Sequence, residues 1–578
     1  MSNAFDKASL VMLPHAYEDG KVYSLKPTDR SGDFTFSRGS DTATRVGEDG
    51  YIKKEISNLL LQSNSFTTSP WGYNQATISV TGSQAGYDGS NNAWLLESLN
   101  TSTSEISQSV SFNGVYNYSV YAKAGTANYL VLLEALGQRV YFDLSNGAIG
   151  AKVGTIDASI ESVGNGWYRC SFSFLRTSTT TARIYVADAD NSLNSALGSN
   201  ILIQDAQINQ GLVAQDYLET TTAPVYGGLT DNMPRLDYTD ATCPSLLLEP
   251  SRTNTVAHSE YFNSSQYNKL NTTAIDNNAI ISPEGMQNAS KVRASVTSTT
   301  ALGFENTSIT SQYKAFSIFA KAGEISEMLV FGIQVSQGVF FNLNDGSISG
   351  YYQGNSSEID NAYSVDYGNG WYRYIIIWAS NSRPRIFTSD NQQITFSQTA
   401  GNGFYAYGLQ YEDASYPTSY IPTYGSSQTR AEDNSTTGDI SSIVNSTEGT
   451  IFTESAKIKD FSLFLLSDGT QNNKITLYPR NNTTQLTFIF TVGGVQQIRQ
   501  DPSPSGLDTT QFNKYAIAWG LNDFRVYVNG VNIYTSTSNI TLGSGALNDL
   551  DIDTANHKQF LIFQEALSDS ELQALTTL

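Results

Sequence analysis

The chain has 578 residues, with 54 Asp and Glu against 33 Lys and Arg and a formal charge of −21. Only 15% of residues are charged while aromatics reach 12%, which excludes a disordered chain, since such chains are poor in aromatics and owe their polarity to charge. The acidic balance, relieved by no basic stripe, excludes binding to a phosphate backbone, and no run of ~18 apolar residues offers a membrane-spanning helix.

The first twenty residues have neither a basic start nor a sustained apolar core, so no secretory signal is expected and the chain reads as one made in a cytosol. Phe34, Phe36 and the acidic turn Glu48-Asp49-Gly50 suggest a small hairpin-rich lead segment without a full core. The strongest signal lies beyond it and is an internal duplication. Tyr118–Gly125 (YSVYAKAG) returns as Phe316–Gly323 (FSIFAKAG), 198 residues on. Val140–Gly147 returns as Val339–Gly346, and GNGWYR occurs at both Gly164–Arg169 and Gly368–Arg373. Anchors in one order with drifting offsets mean two copies of one unit, over residues 57–225 and 245–430, joined by a strap over residues 226–244.

Within each copy the pattern is that of strands. Tyr118, Val120 and Ala122 alternate with Ser119, Tyr121 and Lys123, and Trp167, Arg169 and Ser171 alternate with Tyr168, Cys170 and Phe172, the period of a half-buried strand. Gly/Asn/Asp turns separate many such runs, and no long helix-period segment occurs. The fold class that follows is all-β, with two tandem antiparallel jelly-roll sandwiches. Residues 431–578 form a distinct third domain. There Asn529-Gly530 is a type I′ hairpin signal, and Ser568-Asp569-Ser570-Glu571 is a capping box with Leu567 and Leu572 placed as its staple, predicting a short C-terminal helix. Cys170 and Cys243 fall in different units; no disulfide framework is expected, and two cysteines cannot build a Cys-based zinc site.

The series YSVYAKAG, GNGWYR and Leu409–Thr423 (LQYEDASYPTSYIPT) resembles the carbohydrate-binding-module-like jelly rolls of tailed-phage structural proteins. The first copy departs from that ending with Gln215-Asp216-Tyr217-Leu218-Glu219, which implies a different terminal strap there. Gly32–Val46 and Pro234–Asn254 resemble segments of phage tail-fibre or head-fibre proteins. Phe524–Gly530 (FRVYVNG) and Ile562–Leu575 resemble a concanavalin A-like or laminin-G domain. These resemblances imply a virion appendage whose residues 1–56 dock on capsid or tail proteins because they lack a core of their own, and whose assembly is a homotrimer.

The chemistry offers little for catalysis. His15, His258 and His557 stand in separate segments, read as surface or cap histidines, and no nucleophile elbow accompanies them. Glycoside hydrolysis needs two carboxylates roughly 5–10 Å apart; the nearest run, Asp549, Asp551 and Asp553, contains no Glu to act as the acid. No catalytic residue is assigned. Calcium is the one cofactor the composition admits, with Asp188 and Asp190 beside Asn191, and Asp549, Asp551 and Asp553, as candidate oxygen ligands. The alternative, that these residues form turns, is preferred.

Sugar binding would use exposed aromatic faces flanked by amides. Trp167 and Trp371 occupy equivalent positions and read as core, as do Trp378 and Trp519. Trp71 and Trp94 have no counterpart in the second copy and sit near Tyr73 and Tyr87, so these four are the candidate ligand residues, together with the unpaired Tyr351 and Tyr352. The expectation is an adhesive virion appendage that binds host-surface polysaccharide, with a purely structural decoration protein and a polysaccharide depolymerase as the alternatives.

Overall fold

The computed structural model describes residues 2–239, 242–307, 314–458, 462–480 and 484–578. The strap residues Asp240 and Ala241 lie outside them. The described chain is all-β apart from short helices, chiefly Ser2–Lys7 and Asp569–Thr576. It divides into two compact units. One comprises residues 55–228 and 253–428; the other comprises 1–54, 229–252 and 429–578.

The first unit holds both copies of the duplicated module. Each copy is a sandwich of two six-stranded antiparallel sheets. In the first module one sheet runs, in spatial order, Asp157–Gly164, Trp167–Arg176, Gly114–Ala124, Asn200–Gln210, Ala93–Ser98 and Ile78–Gln84. The second module repeats the order with Ile359–Asp366, Tyr372–Trp378, Ala315–Lys321, Gly403–Glu412, Ala289–Ala294 and Thr273–Ile280. Alternation drives the packing. Tyr118, Val120, Ala122, Cys170 and Phe172 face one buried core in the first module, and Phe316, Ile318, Ala320, Tyr374 and Ile376 face its counterpart in the second. The shared GNGWYR turn has the same backbone in both copies: Asn165 and Asn369 sit at φ +54° and +52°, each followed by a positive-φ glycine. Asn and Gly are the residues that accept this left-handed pair most readily.

A second set of duplicated contacts is not obvious from the anchors. Asn58 Nδ2 donates to the Ala206 and Leu218 carbonyls, and Asn254 Nδ2 to those of Leu409 and Ile421. Gln207 holds the strap after the Asn200–Gln210 strand by donating to Gln215 and Asp216 carbonyls and accepting from Leu218 N. Gln410 does the same with Thr418, Ser419 and Ile421. The first module's ending therefore shares these Asn and Gln fastenings with the second's despite its different sequence.

The other unit is one sandwich assembled from three stretches of chain. Leu10–Met12 and Ser245–Leu247, which the sequence reading places at the start of the second copy, both pair with Ala555–Phe563, and Phe34–Ser37 pairs with Asn434–Thr436. Leu10, Phe34, Phe36 and Leu246 share one core with Phe488, Trp519 and Phe560. The sequence expectation treated residues 1–56 as a docking segment because they lack a core; in the structure that core is supplied by residues 429–578 of the same chain. A buried ionic cluster fastens the three stretches. Arg235 Nη1 lies 2.6 Å from Glu249 Oε2, Arg430 Nη1 2.8 Å from the same oxygen, and Arg38 Nη1 3.3 Å from Asp433 Oδ1, with Arg235 also bonded to Asp433. All three guanidinium groups are fully buried. At the end of the chain the expected features are present: Asn529-Gly530 closes a hairpin that pairs Val528 with Val531, and Ser568 and Glu571 form the reciprocal cap of the Asp569–Thr576 helix, with Leu567 and Leu572 buried together.

Candidate functional site: a polar cleft on the first module

The face of the first module's sheet turned away from its core carries three rows of side chains across neighbouring strands. Register places Asp157 beside Ser173 and Ser173 beside Asn117. The next row is Ser159, Ser171 and Ser119, and the third is Glu161, Arg169 and Tyr121. Eight of these nine positions are hydroxyl, amide or charged, the ninth being the phenol Tyr121. On the adjoining Asn200–Gln210 strand, Asn209 and Gln207 are fully buried and bonded to the strap over Val213, Gln215 and Asp216. The strap thus covers one half of the face and leaves the half towards the edge strand Asp157–Gly164 open.

That open half is a cleft of about 620 Å³, within the range of small-molecule and oligosaccharide sites. The face supplies one wall, Leu212, Val213 and Ala214 of the strap a second, and Asn278, Gly285, Met286 and Gln287 of the second module a third. Asn278 is held at φ +49° and donates to Asp157 Oδ2 at 2.9 Å, which ties the third wall to the first. Gln287 braces it by donating to the Asn278 carbonyl at 3.0 Å. Several lining atoms are buried without a hydrogen-bond partner: Asn117 Oδ1, Ser173 Oγ, Arg169 Nε and Asn278 Oδ1. Asn117 and Ser173 are only 2% and 1% exposed. A buried polar atom left unsatisfied costs ~1–3 kcal/mol, so such atoms are normally met by water or by a ligand.

The aromatic candidates are not part of this cleft. Trp71 is buried, its Nε1 donates to the Gln62 carbonyl at 3.0 Å, and Phe66 meets its ring edge-on at 5.1 Å. Trp94 also packs against Phe66, bonds the Asn64 carbonyl, and has Gly82 against its ring. Both indoles are thus engaged by the module's own packing, Trp71 buried and Trp94 half-buried. Tyr73 packs on the same core from the edge strand Gly72–Tyr73. Tyr352 covers Phe331 and Phe340, and Tyr351 packs on the second module's core. Tyr87 is elsewhere again, stacked on Tyr121 with ring centroids 3.9 Å apart and bonded through its hydroxyl to Asp205 Oδ2 at 2.9 Å.

Asp205 occupies a left-handed backbone position at φ +53°, where the second module has Gly408 at φ +58°. Burial holds its carboxyl up at about 6, against the hydrogen bonds from Tyr87 and Tyr217 that lower it. In the second module the corresponding space belongs to Phe319 and Tyr420, whose rings would lie 2.9 and 3.2 Å from any Cβ at Gly408.

The acidic candidates act as turn and strand residues. Asp188 accepts from Ala196 N, and Asp190 from Ala151 N and Asn191 N. Asp549 accepts from Thr436, and Asp553 from Ser462. Burial raises the carboxyls of Asp551 and Asp553, each further raised by its acidic neighbour. Among the described residues no three His, Cys, Asp or Glu side chains converge as ion ligands would. His15 is exposed, in keeping with its expected surface role, whereas His258 and His557 are buried and burial pushes both down to about 4. His557 joins Ser455 Oγ to the backbone carbonyl of Asp553, not to its carboxylate, so it lacks the orienting acid of a hydrolase triad.

No family model matches the chain, and no curated protein matches it. Solved structures with local similarity include the CBM40 of a Ruminococcus gnavus IT-sialidase bound to α2,3-sialyllactose, with TM-score 0.21 and 19% identity over 24% of this chain and 91% of that one. A second is domain 4 of AbnA, a GH43 extracellular arabinanase from Geobacillus stearothermophilus, in complex with arabinotriose, with TM-score 0.22 and 14% identity over 25% and 73%. A third is the native heptameric SAP-like pentraxin from Limulus polyphemus, with TM-score 0.18 and 16% identity over 22% and 70%.

Proposed function

We propose that this chain is a non-catalytic polysaccharide-binding protein whose binding site is the polar cleft of the first module. The carrying observation is the cleft itself: a groove of about 620 Å³ whose sheet wall is made of hydroxyl, amide and charged side chains, with Asn117 Oδ1 and Ser173 Oγ buried and unsatisfied. Sugar hydroxyls both donate and accept, and they match such a lining as apolar ligands do not. The resemblance of the module and strap motifs to tailed-phage fibre proteins supports the setting, a homo-oligomeric virion appendage, trimeric in the fibre reading, that adheres to the host surface. Weak contacts repeated over several copies would then give avidity.

The test is incubation of the full chain with surface polysaccharide from candidate hosts. Retention of the protein on the immobilised polysaccharide, with the chain length of the polysaccharide unchanged, is the expected result. Shortened polysaccharide would make the protein a depolymerase, and failure to be retained on any preparation would favour the purely structural role.

A further inference from the structure

We infer that the cleft selects neutral or amine-bearing polysaccharides and turns acidic ones away; this rests on the cleft being the binding site. The lining holds three carboxylates, Asp157, Glu161 and Asp216, against one cation, Arg169. The guanidinium of Arg169 is engaged towards the strap: Nη2 donates to the Gln215 carbonyl, and the group lies 5.4 Å from the centre of the Tyr121 ring. Asp157 is fixed as an acceptor, with Oδ1 on Ala158 N at 2.8 Å and Oδ2 on Asn278 Nδ2 at 2.9 Å.

Two of the four unsatisfied lining atoms point the same way, whereas Ser173 Oγ can donate as well as accept and Arg169 Nε is itself a donor. Asn117 Oδ1 and Asn278 Oδ1 are amide oxygens, acceptors with no proton to give, and both are buried in the lining without a partner. Each needs a donor. A sugar hydroxyl or ammonium supplies one, whereas a carboxylate has only lone pairs to offer and would face two oxygens and three like charges. The formal charge of −21 on the whole chain adds a repulsive field for any polyanion at a distance.

The experiment is a glycan array probed with the full chain, carrying neutral, amine-bearing and carboxylate-bearing forms of the same oligosaccharide backbones. Neutral or amine-bearing forms should bind about 10-fold or more tightly than their carboxylate-bearing counterparts, and added salt should weaken the amine-bearing forms most. The triple variant D157N/E161Q/D216N should narrow the gap by about 3-fold or more, through stronger binding of the carboxylate-bearing forms. Carboxylate-bearing forms bound as well as or better than the others would overturn this inference and leave the cleft as the site. Binding to none of the glycans would overturn the site itself, and the selectivity with it.

Discussion

The two modules place the same three rows on the same three strands; the third keeps its arginine, Arg169 matching Arg373, and the other two differ in chemistry. Where the first has Asp157, Ser173 and Asn117, the second has Asn361, Ile377 and Ala315; where the first has Ser159, Ser171 and Ser119, the second has Tyr363, Ile375 and Ser317. In the second module Ala315, Ile375 and Ile377 form a small buried cluster with Val365 and Ala414. Its strap is fastened by Glu412, which accepts from Gln410, Thr418 N and Thr418 Oγ1. In the second module the middle of the face is an apolar packed cluster, and in the first it is polar. Because the backbone registers are equal, the sheet does not require polarity at these positions, and the polar rows of the first module call for an explanation outside folding.

Exchanging residues between the copies is the sharpest way to test that contrast. Ile377→Ser, which gives the second module the first module's residue, should destabilise the unit by ~3 kcal/mol or more, since it removes a buried side chain and leaves a hydroxyl in an apolar cluster; denaturant unfolding measures it. The reverse exchange, S171I/S173I, should weaken polysaccharide binding about 100-fold, equivalent to ~2.7 kcal/mol, while circular dichroism remains that of the parent. Equal binding by this variant would dissociate the polar rows from recognition. Gly408→Asp should cost ~1–3 kcal/mol through crowding against Phe319 and Tyr420, although Asp is accommodated at the same backbone position in the first module.

The smallest effect concerns Asp205 and depends on pH. Its carboxyl is held at about 6 in the folded chain against an ordinary 3.8. Between those values the unfolded chain has lost a proton that the folded chain keeps, so stability falls as pH rises from about 4 to about 6 and is level above. Asp205→Asn should therefore raise the melting temperature at about pH 7.5 by a few degrees and lose that gain near pH 4. A gain of equal size at both pH values would assign the effect to the amide and not to the missing charge.

Much of the fold was legible because its determinants are local. Alternation in YSVYAKAG, the Asn-Gly turns and the Ser568–Glu571 cap each specify geometry within a few residues, and the duplication doubled every signal. The unit built from residues 1–54, 229–252 and 429–578 was not legible, because its fasteners Arg38, Arg235, Glu249, Arg430 and Asp433 are spread over nearly 400 positions and look like surface charges in a linear reading. The candidate cleft was not legible for a different reason. Aromatic side chains were the expected ligand platform, yet Trp71 and Trp94 make their own core contacts. A usable signal was present in the aligned copies, where Ser171 and Ser173 of SFSF stand opposite Ile375 and Ile377 of YIII. It went unread because polarity on an alternating strand is the ordinary mark of a solvent face.

Deuterium uptake of the full chain, with and without a polysaccharide that it retains, tests the central claim most directly. Protection confined to Asp157–Gly164, Trp167–Arg176 and the strap over residues 211–216, with Ile359–Asp366 and Tyr372–Trp378 unchanged, is the predicted result. Protection in the second module's strands or in residues 429–578, with none in the first module's open face, would contradict it.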